Sequence, residues 1–282
     1  MALLATATSL LPPPVPGPPI GMGHDGTREL IFTVICALPL AVGLGWALKL
    51  LVKDRNPFLL LCMVGGATST VVEPLLDING GVWWPAGSWE AFHLAHINIP
   101  LLVPFVYPWL LGLQGYVAYR AFSARADVGA IWRLVGIFAA ADILLEWSGL
   151  NLDVYAYYGT QPLKILGLPF WYVPLNAGGP LIAGAIFYLL KPHFRGPRIF
   201  ALLGVFPMSF ALMYFGCGWP MWLSLQSDWP IGTATVAAAL TYGLSYLMLR
   251  MFMVATRTPG TEVSPEPAPA DHATPDRPFV NA

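Results

Sequence analysis

Charge is what this chain has least of. Of its 282 residues only 10% are Asp, Glu, Lys or Arg, and 56% are hydrophobic. Soluble domains carry about 25% charged residues, so the composition is that of a membrane protein. The formal net charge of −1 excludes a global field that would draw the chain to nucleic acid. Cysteine is scarce too. Cys36, Cys62 and Cys217 all fall in apolar runs, which excludes a disulfide framework and reads as small buried hydrophobes. Aspartate-rich motifs of the DDxxD type are missing, so magnesium-assisted ionisation of a prenyl diphosphate is not the expected start of any chemistry. The seventh apolar segment lacks lysine, which argues against a retinal Schiff base. The His-rich pattern of membrane di-iron enzymes is absent.

What the chain has is long apolar segments. Seven, near 30–52, 56–76, 98–121, 129–149, 170–190, 199–224 and 230–254, are each long enough to cross a hydrocarbon core of ~30 Å. The expected fold is an all-α integral membrane protein, a bundle of seven transmembrane helices over residues 28–255. A Pro-rich irregular leader (1–27) precedes it, without the basic n-region of a signal peptide. A Pro-rich polar tail (256–282) follows, with the composition of a disordered segment.

Basic residues set the expected orientation. Lys49, Lys53 and Arg55 flank the first link, Arg120, Arg125 and Arg133 the third, and Lys191, Arg195 and Arg198 the fifth. Arg250 and Arg257 come at the end of the seventh segment, whereas Lys164 stands alone in the intervening links. The positive-inside rule then puts the N-terminus outside and the C-terminus in the cytoplasm, in a multi-pass protein of a bacterial cell membrane.

The acids that remain crowd the outer end. Glu73-Pro-Leu-Leu-Asp77 closes the second apolar run and Asp142-Ile-Leu-Leu-Glu146 closes the fourth. Acids four residues apart share one helical face. At 1.5 Å per residue Asp142 stands ~20 Å above the cytoplasmic start of its span, and Glu73 and Glu146 ~26 Å above theirs. An ionisable group in a span costs roughly 2.5–3.5 kcal/mol and points to function. Interfacial hydrogen bonding to helix ends is the bland alternative, strongest for Asp77. Two acids facing each other in an apolar bundle do not both ionise cheaply. One kept as a carboxylic acid is a Brønsted acid in an apolar cavity, able to protonate an alkene or an epoxide.

Each acid pair leads into an aromatic loop, Gly80-Gly81 to Trp83-Trp84 in one case and Gly149 to Tyr155, Tyr157 and Tyr158 in the other. A Pro-containing helix start follows each, Asn98-Ile-Pro100 and Val173-Pro174-Leu-Asn176. This order reads as an internal repeat of helix, loop and helix. Aromatic faces stabilise cations by about 0.5–2 kcal/mol each, although rings such as Trp89, Trp147, Trp171, Tyr172, Trp219 and Trp229 also fit an interfacial belt. Glu90-x-x-His93-x-x-His96 suggests hydrogen bonding or proton removal more than a metal site, and no metal or other cofactor is expected. Asn176, beside Gly178 and Gly179, is placed either to orient a carboxyl or to pack helices.

Seven spans in a short chain, a membrane-embedded Glu73 near the end of the second, and acids with Trp and Tyr at one mouth resemble the small integral-membrane terpene cyclases of fungal meroterpenoid and bacterial prenylated-indole pathways. The resemblance covers most of residues 30–254. It implies an isomerase or lyase of secondary metabolism that protonates a terminal alkene or epoxide and lets the polyene cyclise. Glu73 matches the family's early acid. The family's late acid lies near the last span, where this chain has only Asp228, which leaves Asp142 or Glu146 as alternatives. EPLLDINGGVWWP is also similar to membrane carotenoid hydratases and lycopene cyclases, which share the protonation step. Expected catalytic residues are Glu73, Asp142, Glu146 and Asp77. Expected substrate contacts are Trp83, Trp84, His93, His96, Tyr155, Tyr157, Tyr158 and Asn176. The partners would be a hydrophobic isoprenoid or prenylated small molecule and membrane lipid, not nucleic acid. Paired intramembrane acids also fit a proton-coupled transporter or a lipid-binding protein.

Overall fold

The computed structural model describes residues 17–94, 97–194 and 196–257. Most of the leader and tail, and His96, lie outside the described residues. The described chain is mostly helical, and six of its helices are long and apolar enough to cross a membrane: Gly26–Asp54, Phe58–Gly80, Val128–Asn151, Phe170–His193, Gly196–Cys217 and Ile231–Ala255. The protein is accordingly a multi-pass membrane protein. Large apolar side chains such as Leu38, Val42, Leu144 and Leu247 point outward, as helices in lipid require.

The first helix, α1 (Gly26–Asp54), starts where the Asp25 carboxylate accepts hydrogen bonds from the backbone amides of Thr27 and Arg28. Asp127 does the same for α6 (Val128–Asn151) through Ala130. Such caps satisfy amides that have no partner within the helix.

Proline reshapes three of the expected spans. The second is α2 (Phe58–Thr68), a 3-10 stretch Ser69–Val72 and α3 (Glu73–Gly80). Pro74 has no N–H for the carbonyl one turn back, and the chain tightens just before it. The Glu73/Asp77 pair therefore sits on its own helical segment, which continues four residues beyond the expected end at 76. The expected third span, 98–121, begins instead as strand β3 (Ile97–Pro100). Helix runs without a break from α4 (Val103–Tyr107) through a π-helical stretch Pro108–Leu113 into α5 (Gln114–Ser123). Pro104 and Pro108 remove donors there, and the ladder shifts to wider turns. The sixth run, 199–224, divides into α8 (Leu202–Cys217) and a short α9 (Trp219–Gln226). Gly218 and Pro220 make the break.

The central helix is α7 (Val173–Leu190). In the span that contains it, 72% of the most apolar window is buried, against 22% in α1 and α6. It meets α5 through small residues. A Cβ on Gly184 would stand 2.6 Å from both the Ala118 Cβ and the Tyr119 backbone nitrogen. α10 (Ile231–Ala255) closes the bundle.

The two loops that follow the acid pairs share one order of elements. After α3 come β1 (Val82–Trp83) and a hairpin of β2 (Glu90–Leu94) with β3. After α6 come β4 (Ala156–Tyr157) and a hairpin of β5 (Lys164–Ile165) with β6 (Leu168–Pro169). β1 and β4 pair antiparallel, Val82 opposite Tyr157 and Trp83 opposite Ala156. The repeat read from the sequence thus extends to matching strands, and the two loops meet over the same end of the bundle. Gln161 ties them further, its amide donating to the Gly80 and Tyr158 carbonyls at 2.8 Å each. Gly81, at φ 69°, caps α3 in the left-handed region, where glycine carries no Cβ penalty.

The first loop is also anchored to α1. The Trp89 amide donates to both carboxylate oxygens of Glu29, at 3.0 and 3.2 Å, and the His24 ring contacts the same carboxylate. Glu29 is buried in the first turn of α1. Glu29→Ala is expected to lower stability by about 1–3 kcal/mol, because it leaves the Trp89 amide without an acceptor. A melt in detergent checks this, with Glu29→Gln losing less.

Candidate functional site: a cavity of carboxyls and tyrosines

Under the paired loops lies a cavity of about 80 Å³. Glu73, Asp77 and Glu146 line it, with Trp84, Tyr155, Tyr157, Asn176 and the apolar side chains of Phe32, Leu76, Val103 and Leu145. Seven of the sequence-derived site residues thus meet in one place, drawn from α3, α6, α7 and both loops.

The four acids divide by surroundings. Glu73 and Glu146 keep part of their surface accessible, and both line the cavity. Glu73 accepts a hydrogen bond from the Tyr107 hydroxyl. Glu146 Oε2 accepts from the hydroxyls of Tyr155 and Tyr157, each at 2.8 Å. Asp77 is buried, and its Oδ2 accepts from the Trp84 indole N–H at 3.0 Å. Asp142 is buried behind the cavity wall. Its Oδ1 accepts from the Asn176 amide at 2.8 Å, and Asn176 Oδ1 in turn accepts from the Tyr214 hydroxyl. Asp142 Oδ2 is buried with no hydrogen-bond partner among the described residues. Depth along the helix puts Asp142 forward as a donor. It stands behind Asn176, outside the cavity lining.

Other expected residues stand outside the cavity lining. Trp83 and Tyr158 line a separate outer chamber, not the cavity. His93 lies on β2, exposed, with Nδ1 3.1 Å from the Glu90 carboxylate, and is not among the lining residues. The segment from Glu90 forms the β2–β3 hairpin. Among the described residues no group of three or more His, Cys, Asp or Glu side chains is placed to hold a metal ion.

Tyr107 and Tyr214 were not legible as site residues, and Tyr172 was legible only as a belt ring. All three line the cavity. The only signal was a tyrosine inside each of three apolar runs. The rings form one wall. Trp84 and Tyr155 have centroids 4.7 Å apart, Tyr155 and Tyr157 6.1 Å, Tyr157 and Tyr172 5.0 Å, and Tyr172 and Tyr214 5.9 Å.

The electrostatics follow from burial. The phenols of Tyr155 and Tyr157 are held well above their ordinary pKa, first by desolvation and then by the neighbouring Glu146, so both remain O–H donors. Lys164, outside the cavity, is lowered by desolvation; its Nζ donates to the Tyr157 carbonyl at 2.7 Å. The ion pairs His24–Glu29, Arg28–Asp25, Arg28–Asp153 and His93–Glu90 all lie away from the cavity. Desolvation and mutual repulsion disfavour three simultaneous negative charges in so small an apolar volume. The site can therefore hold a proton ready, surround it with aromatic faces, and keep an acceptor opposite.

Comparison of the chain with family models, with characterised proteins and with solved structures gives no match.

Proposed function

We propose that the protein is an enzyme that starts cyclisation of an isoprenoid by protonation, a terpene cyclase without a metal. The bundle has seven spans, the continuous helical run Val103–Ser123 being the third, with the acid cavity at the outer end and the C-terminus in the cytoplasm. The observation that carries the reading is the cavity itself, where two cavity-lining glutamates accept from phenol donors inside a wall of aromatic rings.

In this reading the Glu73 carboxylic acid gives its proton to a terminal alkene carbon or an epoxide oxygen. The alkene π pair forms the new C–H bond, or the epoxide C–O bond breaks, and a tertiary cation results. The next π pair attacks it, forming a ring C–C bond and moving the charge along the chain. Trp84 and the tyrosines face that charge, each ring contributing about 0.5–2 kcal/mol. The Glu146 carboxylate, oriented by Tyr155 and Tyr157, accepts the last proton as an alkene forms, so the product is an isomer of the substrate. The walls hold the polyene folded, which removes an entropic barrier.

The test is incubation of membranes containing the protein with linear farnesylated and geranylgeranylated substrates, with mass spectrometry for cyclic isomers. A product heavier by one water would assign the related hydratase chemistry instead. No isomer from any polyene, together with a Glu73→Gln variant still active in a proton-coupled transport assay, would overturn the enzyme reading.

A further inference from the structure

The acid cavity is small. Its 80 Å³ is about half of the ~150 Å³ void that admits benzene, so any larger ligand requires a wall to move. Two outer chambers flank it. One, of about 370 Å³, is walled by Trp83, Trp84, Trp89, Asn98, Tyr158 and Gln226, and shares Asp77, Val82 and Trp84 with the cavity. The other, of about 430 Å³, shares Tyr155 and Tyr157 with it and has Arg28, Asp153 and Lys164 in its lining.

The two shared walls differ in how they are held. Tyr155 and Tyr157 each hydrogen-bond to Glu146, and Tyr157 lies in the β1–β4 pair with its carbonyl held by Lys164. Trp84 follows the end of β1 in a stretch without regular structure; among the described residues its indole makes one hydrogen bond, to Asp77, and otherwise only packs, against the Tyr155 ring. The chambers differ in chemistry as well. The tyrosine side carries the Arg28–Asp153 ion pair and Lys164. On the tryptophan side Asp77 is the one carboxylate, and no Lys, Arg or His is present, among the described lining residues; the rest are rings, amides, a serine hydroxyl and aliphatic groups.

We infer that Trp84 is a movable partition: release of its hydrogen bond to Asp77 joins the aromatic chamber to the acid cavity and admits an uncharged, chain-like apolar ligand from that side. One end of the ligand reaches Glu73 and Glu146, and the remainder lies against Trp83, Trp89 and Tyr158. Trp84 is thus a specificity-determining residue, setting how long a ligand the site accepts. The inference concerns access, not chemistry, and its test reads accessibility without turnover, so it and the cyclase reading fail separately.

The test places a cysteine at Val106, which lines the cavity, and measures its reaction with an uncharged alkyl methanethiosulfonate in purified detergent-solubilised protein. Cys36, Cys62 and Cys217 are buried, so the parent chain supplies the blank. Labelling of Val106→Cys is expected to accelerate at least about tenfold with Trp84→Ala and about fivefold with Trp84→Phe, which keeps a ring but loses the tether. Tyr155→Phe is expected to change it by less than about twofold, since Tyr157 still holds that wall. If Trp84→Ala also exposes the native cysteines, the Trp84→Phe rate decides. Rates for the Trp84 variants equal to the Val106→Cys parent, or acceleration by Tyr155→Phe as large as by Trp84→Phe, would overturn the inference.

Discussion

Glu73→Gln is expected to reduce formation of cyclic isomer by about 10²–10⁴-fold, the range contributed by a positioned general acid, while the protein still folds. Glutamine keeps the shape of the side chain and an acceptor for the Tyr107 hydroxyl, but has no acidic proton to deliver. Glu146→Gln keeps an acceptor for Tyr155 and Tyr157 but removes the charge that the proposed reaction needs to face the cation and collect the proton, and a loss of about 10²-fold is expected. Asp142→Asn separates the roles. Asp142 touches Asn176 and does not line the cavity, so its loss acts only through the position of Asn176, by about tenfold or less. Initial rates on one polyene substrate, with folding checked by size-exclusion profile, measure all three. A loss in Asp142→Asn as large as that in Glu73→Gln would sink the assignment of the donor.

The largest effect on folding is expected at the crossing of α2 with the π-helical stretch. A Cβ on Gly112 would lie 2.5 Å from the Cys62 carbonyl oxygen and 2.6 Å from the Met63 Cα, and one on Gly66 would lie 2.5 Å from the Tyr107 carbonyl oxygen. These neighbours are backbone atoms, which cannot swing aside like a flexible side chain. Gly112→Val or Gly66→Val must separate the two segments, at a cost of at least about 3 kcal/mol. Because α3 continues from α2 and Tyr107 lies in α4, separation also pulls Glu73 away from its phenol. Gly243→Ala, with nothing within 4 Å of its added methyl, is the control and should be neutral or stabilising by about 0.5–1 kcal/mol. Thermal melts in detergent compare the three, and a Gly112→Val protein that melts with the wild type would refute the close crossing.

The parts of this architecture written in composition were legible in the sequence. Apolar runs located the membrane helices, and equal spacing of the acids on α3 and α6 pointed to a common site. The aromatic loops after each pair contain Trp84, Tyr155 and Tyr157, which line the cavity. Position along the helix failed where rotation around it mattered. Asp142 and Glu146 lie on one face of α6, yet Asn176 stands between Asp142 and the cavity, and that screen belongs to α7. Proline misled in a similar way. The run from 98 to 121 has the hydropathy of a span, but its first residues hydrogen-bond as a strand with β2. Glu29 gave no warning, because its value comes from the Trp89 amide 60 residues away.

The pairing of β1 with β4 has a further consequence. Each unit of acid helix, loop and following helix carries its own acids and the groups that hold them: Asp77 with Trp84 and Glu73 with Tyr107 in the first, Glu146 with Tyr155 and Tyr157 and Asp142 with Asn176 in the second. The cavity is the seam between two similar units within one chain, much like the interface of a symmetric dimer. Covalent linkage relieves such a seam of the symmetry that identical subunits would impose. A single phenol holds the acid on one side and two phenols hold the acid on the other, so the two ends of the seam can differ in polarity.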